Sequence, residues 1–161
     1  MKQTTNWPAG FEPATARVYA YNELRTQLSP EQLWPVLIEA EAWPSWYRNA
    51  RDVVLDGGGS RLDGASRFSW TTFGLRVAST VREFEPCKRL GWEGAGRGSI
   101  GYHRWDLQPT SDGGTLIVTE EVQGGIIARL LGPVVKRSIE KQHQHWLEAL
   151  VQTAGSRAPR S

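Results

Sequence analysis

The strongest constraint on this chain's fold is the spacing of glycine and aspartate between residues 52 and 122. Six segments there have strand character: Asp52–Asp56, Arg67–Phe73, Leu75–Phe84, Arg89–Glu93, Gly101–Leu107 and Thr115–Val122. Between them stand Asp56-Gly57-Gly58-Gly59, Asp63-Gly64, Gly94–Gly98 and Asp112-Gly113-Gly114. Parallel neighbours need crossovers of a dozen or more residues, usually helical. These connections are too short, so the spacing predicts an antiparallel meander.

The flanks complete the pattern. Arg17 to Leu28 reads as a seventh, N-terminal strand with Val18, Tyr19, Tyr21, Leu24 and Leu28. It stops at Ser29-Pro30-Glu31-Gln32, a helix start with Ser29 as N-cap, Pro30 in the first turn and Gln32 completing a capping box. Pro35 inside that helix removes a backbone donor, so the helix is short or bent. A second short helix or turn holds Trp43-Pro44-Ser45-Trp46. From Ile126 to Ala154 the period becomes helical: Ile127, Leu131, Val135, Ile139, His143, Trp146 and Leu150 form one stripe, with Lys136, Glu140, Gln144 and Glu148 opposite. Gly132-Pro133 predicts a kink near its start, and Gly155 a C-terminal stop. A sheet with one face to bury and a helix with one stripe pack on each other. The expectation is an α+β domain over residues 15–154, with an extended arm at 1–14 and a frayed tail at 155–161.

Charge and composition exclude several function classes. The net charge of +2 leaves no electrostatic footprint for nucleic acid. The lone cysteine, Cys87, forbids an internal disulfide and fits a reducing compartment. No signal peptide is visible, and no apolar run approaches the ~20 residues of a membrane span, so a cytoplasmic protein without membrane insertion is expected. The eight tryptophans are unusual. They fit either a bulky core or the wall of a cavity.

The motifs Ser29-Pro30-Glu31-Gln32-Leu33-Trp34, Trp43-Pro44-Ser45-Trp46, Phe68-Ser69-Trp70, Ser79 through Pro86 with Arg89-Leu90-Gly91-Trp92, Gly101-Tyr102-His103-Arg104-Trp105 and Gly114-Thr115 through Glu121 carry a resemblance spread over positions 18–154. Their order resembles the SRPBCC superfamily of START-like, helix-grip proteins, and within it the polyketide cyclase/dehydrase and lipid-transport group. The resemblance implies a seven-stranded curved antiparallel sheet wrapped around a long C-terminal helix, two short helices between strands 1 and 2, and an apolar cavity between sheet and helix. It carries no fixed catalytic signature, because one fold hosts many functions.

Alternation along the strands picks the cavity wall. Gly101, His103, Trp105 and Leu107 share the more apolar face of their strand, and Tyr102, Arg104 and Asp106 the other. Phe68 and Trp70 share a face, as do Leu90, Trp92 and Gly94. On the last strand, apolar content favours Glu120 inside, whereas the family register favours Glu121. The expected pocket has Trp43, Trp46, Tyr47, Phe68, Trp70, Trp92 and Trp105 as walls, Leu131, Val135 and Ile139 as a lid, and His103, Glu121 and His143 as polar groups. Of Trp43 and Trp46, one is expected to anchor the core and the other, with Tyr47, to edge the cavity. Gly57-Gly58-Gly59 and Asp63-Gly64 fit a gate at its mouth or an ordinary hairpin connection. A zinc site from His103, His143 and a Glu is conceivable, but without an HExxH or CxxC framework no metal is expected, nor any other cofactor. Cys87 has no visible catalytic partner.

The first reading of function is a binder or carrier of a hydrophobic, lipid-like or aromatic molecule in a pocket of roughly 300–1,000 Å³, not an enzyme, acting as a monomer or homodimer. The alternatives are a cyclase/dehydratase-type enzyme using His103 as acid/base with Glu121 as its partner, and a non-catalytic interaction module with a collapsed cavity.

Overall fold

The computed structural model describes residues 6–157 of the 161. Residues 1–5 of the expected arm and 158–161 of the expected tail lie outside the described residues. The elements are strand β1 (Val18–Thr26), helix α1 (Pro30–Ile38), a 3-10 turn (Ala40–Ser45), strands β2 (Arg51–Leu55), β3 (Arg67–Thr72), β4 (Leu75–Glu85), β5 (Arg89–Gly96), β6 (Ser99–Pro109) and β7 (Thr115–Gly124), and helix α2 (Gly125–Arg157). The seven strands form one antiparallel sheet in the order β1-β7-β6-β5-β4-β3-β2. This is the helix-grip architecture, with α1 and the turn filling the link between β1 and β2.

Local chemistry explains the joints. Gln32 Oε1 accepts the Ser29 N–H at 2.9 Å and Pro30 opens α1, as the capping pattern predicts. Pro35 is accommodated because α1 is only nine residues long. The β3–β4 turn is Phe73-Gly74, both at positive φ (49° and 74°). That pair of angles matches the right-handed twist of a hairpin, and glycine adopts it without strain, whereas phenylalanine does not. Asn49 Oδ1 holds the strained residue by accepting the Phe73 N–H at 2.9 Å. A register shift between Val81 and Glu83 places a bulge in β4, which bends the sheet toward the helix.

Two expectations fail here. First, Gly155 does not end the last helix; α2 runs to Arg157, whose Nη1 reaches Glu39 Oε2 at 2.7 Å. Second, residues 6–14 are not an extended arm. They form two turns, Phe11 N–H to Pro8 O and Thr15 N–H to Glu12 O. The face carrying Tyr102, Arg104 and Asp106 is buried as well, because this N-terminal segment covers it. Trp7 packs edge-on against Tyr19 and Tyr102, Phe11 meets Tyr102, and the Arg104 guanidinium lies 4.4 Å from the Trp7 ring centre. The central strand β6 is therefore buried on both faces from Gly101 to Leu107.

The predicted kink is present. Leu131 leaves helical geometry (φ −125°, ψ 23°) just before Gly132-Pro133, where the proline lacks the N–H a helix would use. One core lies between sheet and helix around Leu33, Leu37, Trp43, Trp105, Trp146 and Leu147. A smaller core holds Val18, Ala20, Ala128 and Ile139, with Val135 beside it.

Candidate functional site

The interior grades from full to empty along the β5–β6 pair. Its inward-facing register partners are Leu90 with Trp105, Trp92 with His103, Gly94 with Gly101 and Gly96 with Ser99. Bulk falls away along that series. At the full end, Trp43, Phe68, Trp70, Trp92, Trp105 and Trp146 form a mutually packed aromatic cluster. Trp43 and Trp146 meet edge to face at 5.2 Å, and Tyr47 stacks on Trp146 at 4.3 Å. Trp43 is the anchor of the Trp43–Trp46 pair: it is fully buried and its Nε1–H donates to Leu37 O at 3.0 Å. Trp46 packs only partly against the core.

At the empty end, where paired glycines supply no side chains, a cavity of about 70 Å³ remains. Tyr47, Trp70, Trp92 and Trp146 wall it, with His103, Glu121, His143 and Gln123 as its polar lining. Phe73, Leu75 and Val77 line it as well, toward the β3–β4 turn. The volume is well below the size expected from the sequence, because the tryptophans fill space they were expected to enclose. Trp43, Trp46, Phe68 and Trp105 do not line the cavity. Nor do Leu131, Val135 and Ile139: Leu131 is 54% exposed at the kink, and the other two pack beside β1 in the smaller core. The kink and the helix's approach over β1 leave only His143 and Trp146 of the α2 stripe at the cavity. The loop with Gly57–Gly59 and Asp63-Gly64 is no gate to this cavity; it frames a separate shallow groove with Asp56, Arg61 and Arg67.

Three of the anticipated polar residues do meet. His103 comes from β6, Glu121 from β7 and His143 from α2, all buried. His143 Nε2 lies 2.9 Å from Glu121 Oε2, and His103 Nδ1 lies 3.5 Å from the same oxygen. The two imidazole centres are 4.4 Å apart with planes 16° from parallel. His103 Nε2 is 2.7 Å from Thr119 Oγ1. Gln123 Nε2 donates to Glu121 Oε1, and Gln123 is itself held by Ser99 Oγ at 2.8 Å. Glu120 faces the other way, where it accepts from the Tyr19 hydroxyl.

Burial pushes His103 down to about 3, with the neighbouring His143 acting in the same direction, so this imidazole is neutral at ordinary pH. Burial alone would raise Glu121. The hydrogen bond from His143, the adjacent imidazoles and Gln123 outweigh that and bring it to about 2. An ionised carboxylate therefore sits between two imidazoles. Those three donors, within 4.8 Å of one another, are also a set that could hold a metal ion. Their sequence separations match no chelating motif, so only the fold assembles them.

Sequence reasoning missed Trp146 as a wall, and Thr119, Gln123 and Ser99 as partners of the polar groups. It also read Gly94–Gly98 as a connection, although Gly94 and Gly96 lie in β5. The alternation Leu90, Trp92, Gly94, Gly96 was the signal for the hole.

Comparison with known proteins agrees with this geometry. Residues 22–155 match the family described as polyketide cyclase/dehydrase and lipid transport. No curated protein sequence matches the chain. Among solved structures, a hypothetical protein, jhp0584, from Helicobacter pylori is 27% identical with a TM-score of 0.87, covering 96% of this chain and 98% of that one. A START superfamily protein from Mycobacterium smegmatis is 15% identical with a TM-score of 0.71, over 87% and 99% of the two chains. The Zhui aromatase/cyclase from Streptomyces sp. R1128 is 13% identical with a TM-score of 0.69, over 86% and 94%. The match over residues 22–155 places this chain in the polyketide cyclase/dehydrase and lipid-transport family, and the solved structures share its helix-grip fold.

Proposed function

We propose that the protein binds a small, largely apolar molecule carrying one polar group, in the pocket between the sheet and α2. The observation that carries this reading is the facing glycine pair, Gly94 and Gly101, which leaves a hole beside the His103–Glu121–His143 cluster. The aromatic walls favour a flat apolar body, and the carboxylate and imidazoles favour a hydrogen-bonding end. The closed volume equals that of two or three water molecules, each taking about 30 Å³ of liquid. A lipid chain does not fit within it, so the ligand is small or extends out through the mouth. A ligand of this kind gains about 25 cal/mol per Å² of apolar area buried, before ordering costs.

The test uses the tryptophans as reporters. Small aromatic probes such as phenol and indole-carboxylate are titrated while intrinsic fluorescence is read. Saturable quenching in wild type, lost in Gly94→Val, supports the reading. No saturable quenching, or equal quenching in Gly94→Val, sinks it.

The second reading is a cyclase/dehydratase-type enzyme, and one observation favours it: an ionised Glu121 hydrogen-bonded to His143 beside the cavity. A neutral His103 is a poor general acid at ordinary pH, so in that reading proton transfer falls to Glu121 and His143 instead. An interaction module remains a reading only if the cavity takes no probe at all.

A further inference from the structure

We propose that His103, Glu121 and His143 form a binding site for one divalent transition-metal ion of the zinc type, with an open coordination position facing the cavity. This goes beyond ligand binding and does not depend on it.

Convergence is the first argument. Three separate elements, β6, β7 and α2, each send one donor to the same point: His103 Nδ1, Glu121 Oε2 and His143 Nε2. First-row ions hold nitrogen and oxygen donors at about 2.0–2.2 Å, which places adjacent donors roughly 3 to 3.5 Å apart. The two spacings to Glu121 Oε2 are 2.9 and 3.5 Å, and all three donors lie within 4.8 Å of one another. Binding asks the two imidazole rings, now near parallel, to tilt until both lone pairs meet at the ion.

The donor chemistry is the second argument. Imidazole nitrogen and carboxylate oxygen are both donors that first-row ions accept. Two nitrogens and one carboxylate suit zinc, cobalt, nickel or ferrous iron over magnesium or calcium, which take oxygen ligands.

Orientation is the third. Metal-bound histidines and carboxylates are usually fixed by hydrogen bonds behind them. Thr119 Oγ1 stands behind His103, and Gln123, itself held by Ser99, stands behind Glu121. His143 Nδ1 is buried with no partner among the described residues, so nothing stands behind that ring, which is held by Glu121 and by stacking on His103. The aromatic walls limit water to the side of the cavity, where the fourth ligand would enter.

The test is a cobalt titration of the full chain after chelator treatment, reading visible d–d absorption, followed by zinc competition. One equivalent of cobalt giving a saturable spectrum, displaced by zinc but not by magnesium, supports the site. Affinity falling at least tenfold in His143→Ala and Glu121→Gln, with His145→Ala and Cys87→Ser unchanged, assigns it to these residues. No saturable spectrum in the wild type overturns the proposal. So does undiminished cobalt affinity in a folded His143→Ala or Glu121→Gln. Should those two variants fail to fold, Thr119→Val keeps the donors and removes a support; weakened cobalt binding there supports the site and unchanged binding counts against it. Gly94→Val fills part of the hole and keeps all three donors, so cobalt binding without probe binding separates this inference from the ligand reading.

Discussion

Two buried polar clusters lie back to back on the same pair of strands, and they are built on opposite rules. On the outer face, Arg104 donates to Glu83 at 2.9 and 3.0 Å and to Asn6 O at 2.7 Å. Tyr102 also donates to Glu83, and Arg89 pairs with Asp106 at 2.6 Å. Trp7 closes this cluster from above. On the inner face, one carboxylate serves two imidazoles beside a cavity; each face leaves a buried nitrogen without a partner among the described residues, His143 Nδ1 inside and Arg104 Nη1 outside. His103 and Arg104 are sequence neighbours, as are Glu120 and Glu121, so strand alternation alone sends one of each to each cluster. Arginine against carboxylate, sealed by an aromatic lid, is a structural solution. Imidazole against carboxylate, open on one side, leaves chemistry available.

The contrast can be broken experimentally. The largest effect is expected from Arg104→Ala, which removes a fully buried guanidinium and leaves Glu83 with Tyr102 and, at 3.7 Å, Arg89. Removing one partner of a buried pair costs about 3–5 kcal/mol, read by urea unfolding, and the folded fraction should retain wild-type cobalt and probe binding. Loss of those activities in a still-folded variant would join the two clusters that are here held separate.

Acid should attack the inner cluster next. His103 is held below its unfolded value of 6.5, at about 3, so the unfolded chain takes up the proton first. Its contribution is whole above pH 6.5 and drains away as pH falls toward 3. Glu121, lowered from 4.5 to about 2, adds a second loss over that lower window. Thermal unfolding measured against pH should show stability dropping below pH 6.5 by a few kcal/mol in all, and His103→Phe should start its decline only in the carboxylate range. An unchanged profile in that variant would place the acid sensitivity elsewhere.

Smaller is the lid. Trp7→Ala removes a ring over a guanidinium and two edge contacts, at about 1–2 kcal/mol, with the inner cluster unaffected. Smallest is Leu131→Ser at the exposed kink, expected within about 0.5 kcal/mol of wild type by urea unfolding. A larger loss would mean that Leu131 does serve the core after all.

What could be read in advance follows physical range. Strand positions, the capping of α1 and the kink at Gly132-Pro133 are local, and sequence spacing carries them. Faces of strands are also local, which is how His103 was separated from Arg104. Three things depend on distant packing and were not legible. Trp7 meets Arg104 across the sheet, and no spacing announces that contact. Leu131 and Val135 continue the helical stripe in sequence, yet the kink and the approach over β1 take them away from the cavity. Cavity volume is the remainder after large side chains are packed, so counting tryptophans cannot set it. The eight rings were compatible with a wall and with a plug, and they chiefly plug.

The strand order has a consequence for how the protein comes into being. On the ribosome, β3 through β7 can pair each with its predecessor as the chain emerges, whereas β1, made first, has its only neighbour in β7. Arg17–Thr26 and the segment before it must wait, unpaired, until about a hundred further residues have been synthesised. Glu121 and His143 appear later still than His103, so the three donors meet only in the closing stage of synthesis. A nascent or truncated chain ending before α2 therefore carries all seven strands with His103 and Glu121, and lacks His143.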